Sequence, residues 1–162
     1  MSNTKVYQGV LIPDAQTEPT DIEAFIESAY SVDIAAFIEG LAPASGLEYL
    51  LAFDVEKRAA VFSYTRLETQ LEFAKLLRHE QLADIAAQMA SDNRVDLYHQ
   101  LNPDQQRQLL QDLDQQQRED VRRLSVYPEK TAGALMSSEY VTLAGNLTAK
   151  QAIEQLRGDA PK

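Results

Sequence analysis

The chain has 162 residues, 44% apolar and 25% charged, which is long enough for one good-sized core and too apolar for wholesale disorder. A formal net charge of -10 argues against nucleic acid and anionic membrane surfaces as partners, because both repel an acidic protein. With no cysteine, disulfide scaffolds, thiolate metal sites and cysteine nucleophiles are excluded together, which fits a reducing cytosol.

In chain order, residues 1–19 hold a β-prone patch from Val6 to Ile12 and a polar stretch punctuated by Pro13 and Pro19. This segment reads as a flexible, loosely attached lead-in without the apolar run of a signal peptide. Thr20-Asp21-Ile22-Glu23 then reads as a helix start, with Thr20 as the cap and an acid three residues on.

From residue 20 to about 127 the apolar pattern is helical but comes in bursts of two to three turns. Ile34, Phe37, Ile38 and Leu41 share a face, as do Leu47, Leu50 and Leu51. Later bursts are Val61-Phe62, Leu71/Leu76/Leu77, Leu82/Ile85/Met89, Val95/Leu97/Leu101 and Leu109/Leu110/Leu113. The interruptions recur. Leu41-Ala42-Pro43 is echoed by Leu101-Asn102-Pro103, Phe53-Asp54 by Leu113-Asp114, and Asp33-Ile34-Ala35-Ala36 by Asp84-Ile85-Ala86-Ala87. Asn102-Pro103 is a clean helix start. Helices this short must bury a stripe against neighbours, so the predicted architecture is all-α, a superhelical stack of the armadillo/HEAT kind, with an irregular helical bundle as the alternative. No apolar stretch escapes interruption by charge for long enough to cross a membrane.

The texture changes at Tyr127-Pro128, where proline biases the preceding residue away from helix. Thr131 to Met136 is turn-rich, Glu139 to Leu143 has strand propensity, and Thr148 is placed to cap a helix from Ala149 to Arg157. One strand and one helix cannot bury their apolar faces, so residues 128–162 are expected to be a junction and the start of a further domain.

Tyr127-Pro-Glu-Lys-Thr-Ala-Gly-Ala-Leu-Met136, Glu139-Tyr-Val-Thr-Leu143 and Thr148 to Arg157 resemble one particular junction. It is where the N-terminal helical domain of MgtE-type magnesium transporters enters the first CBS (cystathionine-β-synthase-like) motif. The resemblance covers about residues 31 to 157. It implies a cytosolic regulatory domain that senses Mg2+ and gates a pore through Mg2+-dependent association with CBS domains. The implied partners are the CBS domains and membrane pore of the same parent chain, a homodimer in that parent, and Mg2+; the implied location is the cytoplasmic side of the membrane. The alternatives are a metal-independent helical-repeat scaffold for protein interaction, or a soluble CBS-containing paralogue without a pore.

The resemblance places metal ligands at Asp92 and Asp96, with the main-chain carbonyl of Ala134. The spacing of the two aspartates puts both carboxylates on one helical face, and Mg2+ accepts one or two carboxylates while keeping much of its water. An acid near a helix start is also favoured by the helix dipole, with or without a metal. Two departures stand against a full family site: an acidic position on an earlier helix falls on Ala60, and Ala134 stands where a second glycine is frequent.

His79 and His99 show no zinc-ligand spacing and read as surface histidines. Arg107, Arg118, Arg122 and Arg123, interleaved with Asp112, Asp114, Glu119 and Asp120, read as a solvated, salt-bridged face. Tyr7, Tyr30, Tyr49, Tyr64, Tyr98, Tyr127 and Tyr140 read as packing residues. Without a phosphate loop, nucleophile elbow or His-Glu-x-x-His, no enzyme is expected.

Overall fold

The structure, a computed structural model, describes residues 5–7, 10–128, 131–136 and 141–159. Strands β1 (Lys5–Tyr7) and β2 (Val10–Ile12) pair antiparallel, with Val6 opposite Leu11. Nine helices follow: α1 (Pro19–Ser28), α2 (Ser31–Glu39), α3 (Pro43–Leu51), α4 (Val55–Tyr64), α5 (Leu67–Leu76), α6 (His79–Gln88), α7 (Ser91–Gln100), α8 (Pro103–Asp112) and α9 (Gln115–Leu124). A single 3-10 turn at Gly133–Leu135 and helix α10 (Ala149–Asp159) complete the described elements.

The nine helices start at 19, 31, 43, 55, 67, 79, 91, 103 and 115, so every start is twelve residues after the last. The unit is a helix of nine or ten residues and a short link. In the later units the link is two extended residues, as at Leu101 (φ -71, ψ 150) and Asn102 (φ -69, ψ 162). The first link residue faces inward, since Thr65, Leu77, Met89, Leu101 and Leu113 are all buried. The second starts the next helix. Asn102 accepts from the amides of Asp104 and Gln105, both at 3.0 Å, while the Asn102 amide donates back to Gln105 Oε1; Asp114 and Gln117 make the same reciprocal cap. Pro19, Pro43 and Pro103 occupy first helical positions, where the missing N–H costs nothing.

Packing follows the period. α2 lies on α4, α4 on α6 and α6 on α8, while α3, α5, α7 and α9 form a second row, so two helices make one turn of a solenoid. The seventh residue of each of these nine helices forms the spine: Phe37, Val61, Phe73, Ile85, Leu97, Leu109 and Val121 are buried, and Phe25 and Tyr49 half-buried. At the N-terminal end the spine is aromatic, with Phe25 edge-on to Phe37 at 6.0 Å and Phe37 edge-on to Tyr49 at 5.2 Å. Gly46 lets α3 close on its neighbours; a Cβ there would meet the Ile38 carbonyl at 3.0 Å and the Phe73 ring at 3.3 Å.

The fourth residue of a helix has a second recurring task. No left-handed glycine closes these helices, so their last carbonyls need donors. Arg58 donates to the carbonyls of Leu51 (3.0 Å) and Phe53 (2.7 Å), and Gln70 to those of Phe62 and Thr65 (both 3.0 Å). Arg94 donates to Ala86 and Met89 (both 2.7 Å), Gln106 to Tyr98 (2.8 Å) and Arg118 to Leu113 (3.1 Å). Each reaches back to the helix before its own.

Several expectations change. α1 begins at Pro19 with Glu18 as its cap residue, so Thr20 is inside the helix. The lead-in is fastened at Ile12, which is buried and packs with β2 against α2. The Asp33 and Asp84 echo is out of register: Asp33 is third in α2 and buried, Asp84 sixth in α6 and exposed. Of the predicted strand, Glu139 and Tyr140 lie outside the described residues and 141–143 form no strand. α10 runs on to Asp159 behind a reciprocal Thr148–Gln151 cap, and its Ile153 and Leu156 are exposed.

Candidate metal centre

The rotation of α7 about its own axis is set by what it buries. Ser91, Arg94, Val95 and Leu97 face the core, and Arg94 is tied to the end of α6. The second and sixth positions are left outward: Asp92 is half-buried and Asp96 exposed, one turn apart on the same side. The sequence spacing thus gives a shared face, as expected. The same register carries acids elsewhere: Glu68 and Glu72 in α5, and Glu80 and Asp84 in α6. α5 packs beside α7, so acid pairs in the same register recur in neighbouring helices of that row. Ala60 holds the sixth position of α4, half-buried and without a donor atom.

Ala134 lies in the 3-10 turn. That turn is positioned by a contact between Tyr127 and Gly133: an added Cβ at Gly133 would run into Cδ1 of Tyr127 and fall 2.5 Å from its Cγ, so the tyrosine ring lies flush against the glycine. Thr131 closes the intervening bend by donating from Oγ1 to the Pro128 carbonyl at 2.8 Å. Among the described residues no group of three His, Cys, Asp or Glu side chains is assembled to hold a metal ion. The arrangement therefore offers two carboxylates on one helical face, which suits a hydrated hard cation in part and does not enclose one.

The histidines are engaged with protein. His79 Nδ1 lies 2.8 Å from Asp112 Oδ2, joining α6 to the end of α8, and this hydrogen bond raises the imidazole above its ordinary value of about 6.5. His99 is half-buried rather than exposed, its Nε2 3.2 Å from the Ser125 carbonyl at the end of α9. The basic series divides: Arg107 pairs with Asp104 and Arg123 with Asp120, as a salt-bridged face would, but Arg118 is the half-buried cap of α8. Tyr49 and Tyr98 pack on the core, whereas Tyr30 and Tyr64 are exposed, against expectation; Tyr140 lies outside the described residues. The donor seats at fourth positions escaped sequence reasoning. Their signal was a polar residue recurring at twelve-residue spacing inside an apolar pattern.

A twelve-residue, two-row helical solenoid followed by a short 3-10 turn and a further helix defines a class, the superhelical repeat domains. Residues 29–130 match the MgtE intracellular N domain, and the chain belongs to that family. No curated protein matches it. Among solved structures it is similar to the cytosolic domain of the Mg2+ channel MgtE in complex with ATP, at 26% identity and a TM-score of 0.78, over 89% of this chain and 59% of that one. The soluble part of a magnesium transporter has the same fold, at 22% identity and a TM-score of 0.74, over 87% of this chain and 56% of that one. The chain thus spans less than two thirds of either. No helix among the described residues is long and apolar enough to cross a membrane.

Proposed function

We propose that this chain is the cytosolic regulatory domain of an MgtE-type magnesium transporter, sensing intracellular Mg2+ and gating the pore through Mg2+-dependent association with CBS domains. Residues 128–162 are the junction and the start of the first CBS motif in this reading, the parent is a homodimer, and the domain lies on the cytoplasmic side of the membrane. The observation that carries it is the outward presentation of Asp92 and Asp96, one turn apart on α7, in a chain of this family. Two carboxylates and the Ala134 carbonyl would hold part of a hydrated Mg2+, with the remaining ligands supplied from another module. Affinity then depends on how closely the modules approach, which is what a gate requires.

The recurrence of the acid pair supports a second reading, a metal-indifferent scaffold in which these residues serve only the helix dipole and the exposed face. The same recurrence supplies internal controls. In an amide-shift titration with Mg2+, Asp92 and Asp96 should move with a dissociation constant on the order of millimolar. Glu68, Glu72, Glu80 and Asp84 should move less, and D92N/D96N should lose the response. Equal movement of all three pairs would favour the scaffold.

A further inference from the structure

The fourth position holds Ile22, Ile34 and Gly46 in α1–α3 and a donor from α4 to α9, except in α6. Its fourth residue is Leu82, buried and without an N–H to give. In α7, Arg94 serves the carbonyls five and eight residues behind it, those of Met89 and Ala86; in α5, Gln70 does the same with Thr65 and Phe62. Behind Leu82, the corresponding residues are Leu77 and Ala74. Both line a cavity of about 140 Å³, with Leu82, Gln105 and Gln108 also on its wall. Gln105 reaches across from α8 to the Ala74 carbonyl at 3.0 Å, and no described side chain donates to the Leu77 carbonyl.

We propose that this cavity is a receptor for a guanidinium group from outside the chain, seated where Arg58, Arg94 and Arg118 place their own in neighbouring units. The acceptors are the Leu77 carbonyl and the Ala74 carbonyl, the latter shared with Gln105, at the C-terminal end of α5, the negative end of a helix dipole. Their arrangement in the filled seats accepts a planar fork of N–H donors, which favours guanidinium over the compact ammonium of lysine. The amide side chains of Gln105 and Gln108 add polar atoms without fixed charge. Lys75 and His79, both exposed, complete the rim.

The test is an amide-shift titration of the whole 162-residue chain. The probes are methylguanidinium, N-acetyl-arginine amide and, at matched ionic strength, methylammonium. Saturable shifts at Leu77, Leu82 and the Gln105 side-chain amide are expected for both guanidinium probes, with dissociation constants on the order of millimolar. Methylammonium should leave these signals in place. L82R and L82Q fill the seat from within and should weaken binding by about tenfold or more; L82Q, which copies Gln70 and Gln106, keeps the test intact if L82R does not fold. Tighter binding of the arginine amide than of methylguanidinium points to a protein-borne arginine, and equal binding to the headgroup alone. No saturable shift, an equal response to methylammonium, or undiminished binding to folded L82Q overturns the proposal.

Discussion

Replacing Arg94 tests the capping grammar of the solenoid most directly. Its guanidinium is buried and makes two short hydrogen bonds of 2.7 Å, to the Ala86 and Met89 carbonyls at the end of α6, besides a longer one of 3.4 Å to the Ala87 carbonyl. Hydrogen bonds to a charged group contribute about 1.5–3 kcal/mol each. R94M keeps the aliphatic packing but deletes them, and it also removes the desolvation cost of a buried charge. The two effects combine to a net loss of about 3 kcal/mol. For a chain of this size that lowers the melting temperature by about 6–12 °C. R94Q should lose about 1 kcal/mol, because an amide retains two N–H donors and Gln70 already spans the equivalent carbonyls at 3.0 Å each. Urea unfolding followed by far-UV circular dichroism gives the magnitudes, and hydrogen exchange locates the damage, expected in the last turn of α6 and first turn of α7. A melting point for R94M within about 2 °C of wild type, or an R94Q no better than R94M, would falsify the assignment of this position as a cap.

The junction and the histidine clasp give two further expectations. G133A drives a methyl group into the root of the Tyr127 ring, at 2.5 Å from Cγ, where rotation of the side chain gives little relief. It should cost the junction about 1–3 kcal/mol and open residues 127–136 to limited proteolysis while the solenoid melts unchanged; unaltered proteolysis would refute the contact. His79 has a raised pKa in the folded chain, so its contribution to stability is present in full below about pH 6.5 and is lost as pH rises through the folded value. Imidazole titration by NMR should show that rise in wild type and its loss in D112N. An unchanged His79 titration in D112N would show that Asp112 is not the cause.

Much of the architecture could be read along the chain. Short apolar bursts, prolines at helix starts and the caps at Asn102 and Asp114 act within a few residues of themselves, and their physics is local. The Leu41 and Leu101 echo lay in register with the twelve-residue unit, five units apart. The Asp33 echo did not, because composition repeats by chance where packing demands only an apolar neighbour. The outward face of Asp92 and Asp96 followed from helical spacing alone. Arg118 was misread as solvated because a charged residue among charged residues looks like surface until its acceptor is located.

Local order along this chain therefore came from short-range chemistry: the helix-to-link rhythm, the caps and the two-sidedness of each unit are written in neighbouring residues. Which polar side chains enter the interior was settled by assembly instead. A carbonyl at the end of one helix becomes an acceptor only when the next helix crosses at an angle that brings its fourth residue there. The seat beside Leu82 and the clasp from His79 to Asp112 likewise exist only because residues over twenty positions apart are stacked side by side. Burial creates the demand for those partners, and burial is a property of the packed solenoid.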